Sequence, residues 1–233
     1  APESFQRMSS APTTRVPRQT VFIITDTMGP KLLGCYGSQL GLTPNLDRFA
    51  GQSVRFEHAY TPCPLCTPAR SALYTGQPAA VNGAWSLEMP IGQGVPTIVD
   101  RLAEGRTDDS SSRTPGREPT RAAHIGKWHL SATDYFDTGT APAGWDPDLW
   151  FDGRAHLESL PADVRPRTRR VPRDGEAPIA REHTFGGAVT ERARSFLKQH
   201  GESDFFLAVS YDEPHAPFVS RSEEHTSELQ SLL

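Results

Sequence analysis

The residues of this chain best equipped for chemistry gather around one stretch, Cys63-Pro-Leu-Cys66-Thr-Pro-Ala-Arg70-Ser-Ala-Leu-Tyr-Thr-Gly76. Its pattern predicts the start of a helix. Thr67 suits the N-cap, Pro68 the first helical position and Gly76 a left-handed stop. Cys66 would then stand just before the helix, at the positive end of its dipole. A sulfur or oxygen nucleophile is favoured there, and so is a bound oxyanion. Arg70, one turn further on, adds a permanent cation whose fork matches sulfate or phosphate oxygens.

The elements that must position this stretch can be read on either side of it. Thr20-Val-Phe-Ile-Ile-Thr25 is a continuous apolar, β-branched run, the pattern of a buried parallel strand. It ends in Asp26, and open α/β sheets bind ligands at the carboxyl ends of their strands. Asp26 reads either as the start of a turn, which the local sequence favours, or as an oxygen ligand for a hard cation. Arg121-Ala-Ala-His-Ile-Gly126-Lys127-Trp128-His129-Leu130 predicts a further strand. Lys127 and His129 alternate along it, so an ammonium and an imidazole can share one face while Trp128 packs on the other. Taken singly, each reads as a solvated lysine and an incidental histidine. Phe205-Phe-Leu-Ala-Val-Ser210 is another buried strand and delivers Tyr211-Asp-Glu-Pro214-His215-Ala-Pro217-Phe218. The prolines restrict that loop and aim His215 at the crest of the sheet.

Helices are predicted between these strands. Thr43, Pro44 and Gly51 frame a short one by cap, first position and stop. A second spans residues 95–105. A third runs over residues 185–200, with Val189, Ala193, Phe196, Leu197 and His200 on one stripe and Gly201 ending it. Residues 54–60 alternate like a strand. The Leu33-Gly-Cys35-Tyr-Gly37 segment is a glycine-punctuated loop with Cys35 as a small buried hydrophobe. Residues 105–120 read as a surface insertion. The aromatic, turn-rich segment 144–153 fits either a substrate rim or a loop packed on the core, and the basic run 165–173 a solvated loop.

Cys63 and Cys66 also form a Cys-x-x-Cys. A redox pair would sit before a helix too, and structural zinc would need a second ligand pair. Cys35, His58 and His124 lack ligand spacing, so neither reading is adopted.

Composition narrows the field. The 233 residues suffice for one sizeable core, yet hydrophobic content is only 36%, so part of the chain is expected to be tail or loop. A formal net charge of −4 argues against a nucleic-acid binder driven by phosphate neutralisation. No apolar run approaches membrane-spanning length and no N-terminal apolar core resembles a signal peptide, so no membrane partner and a cytoplasmic default are expected. Three cysteines do not make a secreted disulfide framework. Residues 1–18 are expected to be a disordered tail, with Met8 as the natural start. Residues 221–233 resemble the translation of a sequencing adapter and are expected to be non-native.

Cys66-Thr67-Pro68-Ala69-Arg70 followed by Thr75-Gly76 resembles the signature of the type I sulfatases, the formylglycine-dependent branch of the alkaline-phosphatase-like superfamily. The strand ending in Asp26, Leu33-Gly-Cys35-Tyr-Gly37, Gly126-Lys127-Trp128-His129 and Pro214-His215-Ala-Pro217-Phe218 are similar to segments of the same family in the same order. The resemblance covers about residues 19–220, the N-terminal part of a sulfatase catalytic domain. It implies an α/β fold: a mostly parallel sheet with helices on both faces, here truncated at its C-terminal side.

The resemblance also implies chemistry. Cys66 is oxidised to formylglycine by a formylglycine-generating enzyme, and the hydrated aldehyde attacks the sulfur of a small-molecule or glycan sulfate ester. Asp26 and the modified Cys66 hold calcium or magnesium. Family members often carry Asp-Asp where this chain has Asp26-Thr27. Arg70 and Lys127 stabilise charge on the sulfate oxygens. His215 contacts the sulfate and helps protonate the leaving alcohol. His129 takes a proton as sulfate is expelled. The downstream metal pair and lysine of the family are absent, so this chain is expected to be inactive as it stands. The alternatives are a phosphonate or phosphate ester hydrolase of the same superfamily and a non-catalytic truncated product.

Overall fold

A computed structural model describes residues 18–104, 120–131, 133–170 and 179–215. Nearly all of the expected N-terminal tail, all but the last residue of the expected insertion 105–120, residues 171–173 of the basic run, and everything from residue 216, including Pro217 and Phe218, lie outside these residues.

The elements run β1 (Gln19–Thr25), α1 (Pro44–Ala50), α2 (Cys66–Thr75), α3 (Ala79–Asn82), α4 (Ile98–Glu104), β2 (Arg121–Gly126), β3 (Trp150–Phe151), α5 (Gly153–Ser159), α6 (Phe185–His200) and β4 (Phe205–Tyr211), with short 3-10 turns between them. The strands form one four-stranded sheet in the order β1-β4-β2-β3, and every pairing in it is parallel. This is the expected α/β architecture.

Register decides where the site can form. Ser210 of β4 is level with Ile24 on one side and with Gly126 on the other. The chain therefore leaves all three strands at nearly one height, carrying Asp26, Lys127 and Asp212 to the same edge.

β4 is buried along its whole length, as a central strand covered on both faces must be. Its odd residues Phe205, Leu207, Val209 and Tyr211 join Ala123, Ile125 and Phe151 beneath Val189, Ala193 and Phe196 of α6. Its even residues Phe206 and Ala208 face the opposite way, into Tyr74 of α2 and the indoles of Trp128 and Trp145. The period of two along the strand thus sorts one sheet into two distinct cores. α6 is capped by Thr184, whose side chain accepts from the Gly187 N–H at 3.1 Å.

Several expectations need correction. Residues 54–60 form no strand and lie exposed, with Val54 82% and Tyr60 88% accessible. Alternation alone makes no strand without a neighbouring ladder to satisfy the backbone. The helix expected from residue 95 begins at Ile98; Asp100 accepts from the Thr97 N–H and hydroxyl, both at 2.7 Å, and so fixes its start. Gly51 and Gly201 do end their helices as expected, in right-handed conformation, and Gly76 adopts the expected left-handed one, at φ 68°; Gly105 lies outside the described residues. Segment 144–153 packs on the core: Trp145 and Phe151 are buried. Cys35 is half-buried in the turn Gly34–Tyr36, where its N–H donates to Asp47 Oδ1 at 2.7 Å.

Candidate active site

α2 starts two residues earlier than expected. Cys66 is its first residue and Leu65 occupies the cap position without a side-chain bond. Thr67 is not the cap. Its hydroxyl instead donates to the backbone carbonyl of His129 at 3.1 Å, buried, and so ties the helix start to the segment after β2. Pro68 still falls in the first turn, where no N–H is needed.

Arg70 sits one turn inside α2 and is 3% exposed. Its guanidinium donates at 2.8 Å to the Lys127 carbonyl and at 2.8 Å to Ser210 Oγ, and at 3.3 Å to Asp26 Oδ2. One side chain thereby locks the carboxyl ends of β1, β2 and β4 together.

Asp26 is the hub. Its Oδ2 accepts from Lys127 Nζ at 2.7 Å as well as from Arg70. Its Oδ1 lies 3.9 Å from Cys66 Sγ and 3.1 Å from Thr27 Oγ1. Burial on its own would raise the Asp26 pKa; the Lys127 and Arg70 cations outweigh it and bring it down to about 2. The carboxylate is therefore ionised throughout the physiological range.

Lys127 follows β2 rather than continuing it, since that strand ends at Gly126. Gly126 has φ +119°, and a Cβ there would stand 1.9 Å from the Ser210 carbonyl. Only glycine lets the backbone turn here while staying against β4. The expected division of faces survives the turn. Lys127 reaches Asp26, and its Nζ also donates to Asp212 Oδ1 at 2.8 Å and Tyr135 Oη at 2.6 Å. Trp128 packs the other way, 4.8 Å from the Tyr74 ring.

His129 has φ 57°, and its ring lies 5.0 Å from that of Tyr135. The Asp137 carboxylate holds this turn by accepting from the His129 N–H at 2.6 Å and from the Ser131 N–H at 3.3 Å. Burial, then the nearby Lys127 and Arg70 cations, lowers the His129 pKa to about 4. The imidazole is neutral at pH 7, and its buried Nδ1 has no hydrogen-bond partner. His215 completes the group, with Nδ1 3.3 Å from Tyr135 Oη.

All the residues singled out from sequence, Asp26, Cys66, Arg70, Lys127, His129 and His215, thus converge. Sequence reasoning did not single out Tyr135, Asp212, Ser210 or Asp137. Of these, Asp212 carried a readable signal, since it follows a buried strand as Asp26 does. His124 is part of the aromatic packing: its ring stacks on Trp150 at 4.8 Å, and burial first of all lowers its pKa to about 3.

The metal implied by the resemblance can be tested against this donor set. Among the described residues no cluster of three or more His, Cys, Asp or Glu side chains is placed to hold an ion. Asp26 already pairs with two cations. The described residues do not by themselves fit a divalent metal. The three cysteines are free, so Cys63 and Cys66 form no disulfide.

A family model described as Sulfatase matches residues 18–108. The chain is 37% identical over 206 residues to the uncharacterized sulfatase YidJ of Escherichia coli K12, covering 85% of this chain and 39% of that protein. It is 30% identical over 219 residues to human N-acetylgalactosamine-6-sulfatase, covering 86% of this chain and 40% of that one. Two solved structures share the fold. A phosphonate monoester hydrolase of Agrobacterium radiobacter matches with TM-score 0.66 at 18% identity, over 89% of this chain and 43% of that one. A protein in complex with its substrate D-glucosamine-2-N,6-O-disulfate matches with TM-score 0.58 at 23% identity, over 87% and 35%.

The Cys-x-Pro-x-Arg helix and the Gly-Lys-Trp-His turn at one sheet edge thus lie in a chain whose residues 18–108 match the Sulfatase family model and most of whose length is similar to sulfatases. The chain spans about 40% of the length of these two curated relatives. No helix among the described residues is long and apolar enough to cross a membrane.

Proposed function

We propose that the whole protein is a sulfuric ester hydrolase that acts on a sulfated sugar or small molecule, with Cys66 matured to formylglycine as its nucleophile. The observation that carries this reading is the surrounding of Cys66. Asp26 lies 3.9 Å from its sulfur, and Arg70 and Lys127 are bound to that same carboxylate.

Burial, above all, raises the Cys66 pKa against the pull of Lys127. Unmodified Cys66 is therefore a neutral thiol near pH 7 and a weak nucleophile. Matured, it supplies a hydroxyl nucleophile on a carbon able to expel sulfate again. Arg70 and Lys127, held by their partners, put fixed positive charge beside Cys66 that favours charge developing on sulfate oxygens. His129, neutral and with Nδ1 unengaged, is suited to accept a proton. His215 is suited to supply one to the leaving alcohol.

Asp26 would be one ligand of a calcium or magnesium ion. The described residues do not complete its shell, and none of these roles depends on it. The maturation partner is a formylglycine-generating enzyme. A sugar sulfate is favoured because relatives include an N-acetylglucosamine-6-O-sulfatase of Bacteroides thetaiotaomicron, 30% identical over 147 residues, as well as the human N-acetylgalactosamine enzyme.

The test is mass spectrometry of the Cys66 peptide after co-expression with a formylglycine-generating enzyme that is active on a control protein. Conversion of Cys66, with Cys63 untouched, is expected. An unmodified thiol at Cys66 would sink the proposal.

A further inference from the structure

Tyr135 lies outside the segments that carry the family resemblance, yet it touches more of the site than any residue in them except Asp26 and Lys127. Its hydroxyl meets three groups: Asp212 Oδ1 at very short range, Lys127 Nζ at 2.6 Å and His215 Nδ1 at 3.3 Å. Its ring lies under the Lys127 ammonium at 4.1 Å and against the His129 ring at 5.0 Å.

Proton accounting restricts how these contacts can be made. A phenol has one proton to give and two lone pairs to receive with. Burial, then the neighbouring Asp212 charge, raises the Tyr135 pKa, so the phenol keeps its proton. An ionised Asp212 only accepts, so the Tyr135 proton goes there. Lys127 only donates, and its three protons match Asp26, Asp212 and Tyr135. One lone pair of Tyr135 remains, and it faces His215 Nδ1. That nitrogen must be the donor.

We propose that Tyr135 is a positioning residue which passes the charge of Asp212 on to His215 and fixes that imidazole as the Nδ1–H tautomer. That tautomer puts the lone pair on Nε2, and a proton there once the ring is charged. The relay is Asp212 carboxylate, Tyr135 O–H, His215 Nδ1–H, with no net transfer and no cofactor. Its geometry stands without any assigned activity; its use in protonating a leaving group rests on the sulfatase reading.

The experiment is a proton–nitrogen correlation spectrum of the histidine rings in the uniformly labelled chain, under basic conditions where imidazoles are neutral. His215→Ala identifies the His215 signals among those of the eight histidines. The expected wild-type pattern is Nδ1–H. In Tyr135→Phe, which keeps the ring and removes the hydroxyl, that pattern should be lost. Asp212→Asn supplies a second arm: an amide can donate to the phenol oxygen, free the Tyr135 proton for Nδ1 and turn His215 to Nε2–H. An Nε2–H ring in the wild type overturns the proposal, whatever the variants do. So does an unchanged Nδ1–H ring in Tyr135→Phe. The readout needs no turnover, so a chain with the Nδ1–H ring and a Cys66 that is never matured would sink the sulfatase reading and leave the relay standing.

Discussion

The two faces of one sheet are built from different materials. Under α6 the sheet mixes aliphatic and aromatic side chains: Ala123, Ile125, Leu207 and Val209 lie among Phe151, Phe205 and Tyr211 and meet Val189, Ala193 and Phe196. Under α2 it is aromatic, with Tyr74, Trp128, Trp145 and Phe206. That face also runs into buried polar groups: His124, Ser210, Arg70 and Lys127. An apolar face gains from every apolar atom removed from water. A polar interior breaks even only if each donor finds its acceptor. On the α2 side they do: Arg70 and Lys127 each make three contacts. Matching of this kind costs more design than apolar filling and gives less stability. The α6 face holds the sheet together, and the α2 face spends some of that stability on holding charges in place.

The largest expected effect separates the faces by readout. In the whole protein, Cys66→Ala should lower aryl sulfate turnover by more than about 1000-fold. The same change in this chain should leave its unfolding midpoint in urea nearly unmoved, within about 0.5 kcal/mol. A variant with ordinary turnover would remove Cys66 from the mechanism. If the whole wild-type protein prefers an aryl phosphonate to the sulfate, the related hydrolase class is the better reading.

The converse experiment strikes the α6 face. Phe196 is buried against Phe205, with ring centroids 5.1 Å apart. Phe196→Ala should cost about 3–5 kcal/mol of stability. In whatever fraction remains folded, the Cys66 helix should still be matured. Gly126→Ala tests the seam between the faces. Its Cβ would collide with the Ser210 carbonyl, so it should displace Lys127 and destabilise the chain together. Equal stability to wild type by urea titration would contradict the register described.

Acid should act on both faces. Burial is the leading cause that holds His124 near 3 and His129 and His156 near 4, against 6.5 when unfolded. Between those values the unfolded chain binds protons that the folded chain refuses. Stability is therefore full above about pH 6.5 and falls as pH drops toward 4. Three such groups amount to several kcal/mol, on the order of 1.4 for each histidine and pH unit. Asp26 adds a later loss, as pH falls from about 4 through its folded value near 2. His156 packs beside Phe185 on the α6 side, with ring centroids 5.0 Å apart. His156→Leu should remove about a third of the slope between pH 6.5 and 5, measured by urea unfolding across pH. An unchanged slope would mean that the histidines are not what acid attacks.

Legibility followed the same division. β1, β4 and α6 could be read because burial on both faces, or on one stripe, leaves a periodic apolar signature. Cys66, Arg70, Lys127 and His129 could be read because they sit in short motifs beside those elements. Tyr135 and Asp137 could not. They are polar residues in a turn-rich stretch, and what recruits them is the fold bringing residue 135 beside residues 127, 212 and 215. Asp212 was within reach, because the strand-end argument that picked out Asp26 applies equally to it. Residues 54–60 failed for the opposite reason: their alternation is real, but no strand among the described residues lies alongside to make it a sheet.

The smallest expected effect concerns the metal, and it sharpens the contrast between charge satisfied within the chain and charge left for a ligand. A calcium ion takes about six to eight oxygen ligands. Near Cys66 the chain offers Asp26 and the Thr27 hydroxyl, and Asp26 already faces the Lys127 ammonium at 2.7 Å and Arg70 at 3.3 Å. An incoming cation must displace or crowd those charges, and most of its shell must stay water. Affinity should be weaker than about 1 mM, the low end of protein calcium sites. At 1 mM calcium the stabilisation, RT ln(1 + [L]/Kd), is then below about 0.4 kcal/mol. Calorimetry should detect no saturable binding in the micromolar range, and urea unfolding should barely respond to the ion. Lys127→Met gives the comparison. It removes the ammonium that Asp26 and Asp212 share, leaves two carboxylates facing one gap, and should raise calcium affinity above that of the wild type. If the wild-type chain binds calcium at micromolar concentration while Lys127→Met binds no better, Lys127 does not compete for that carboxylate and the charge balance argued here is wrong.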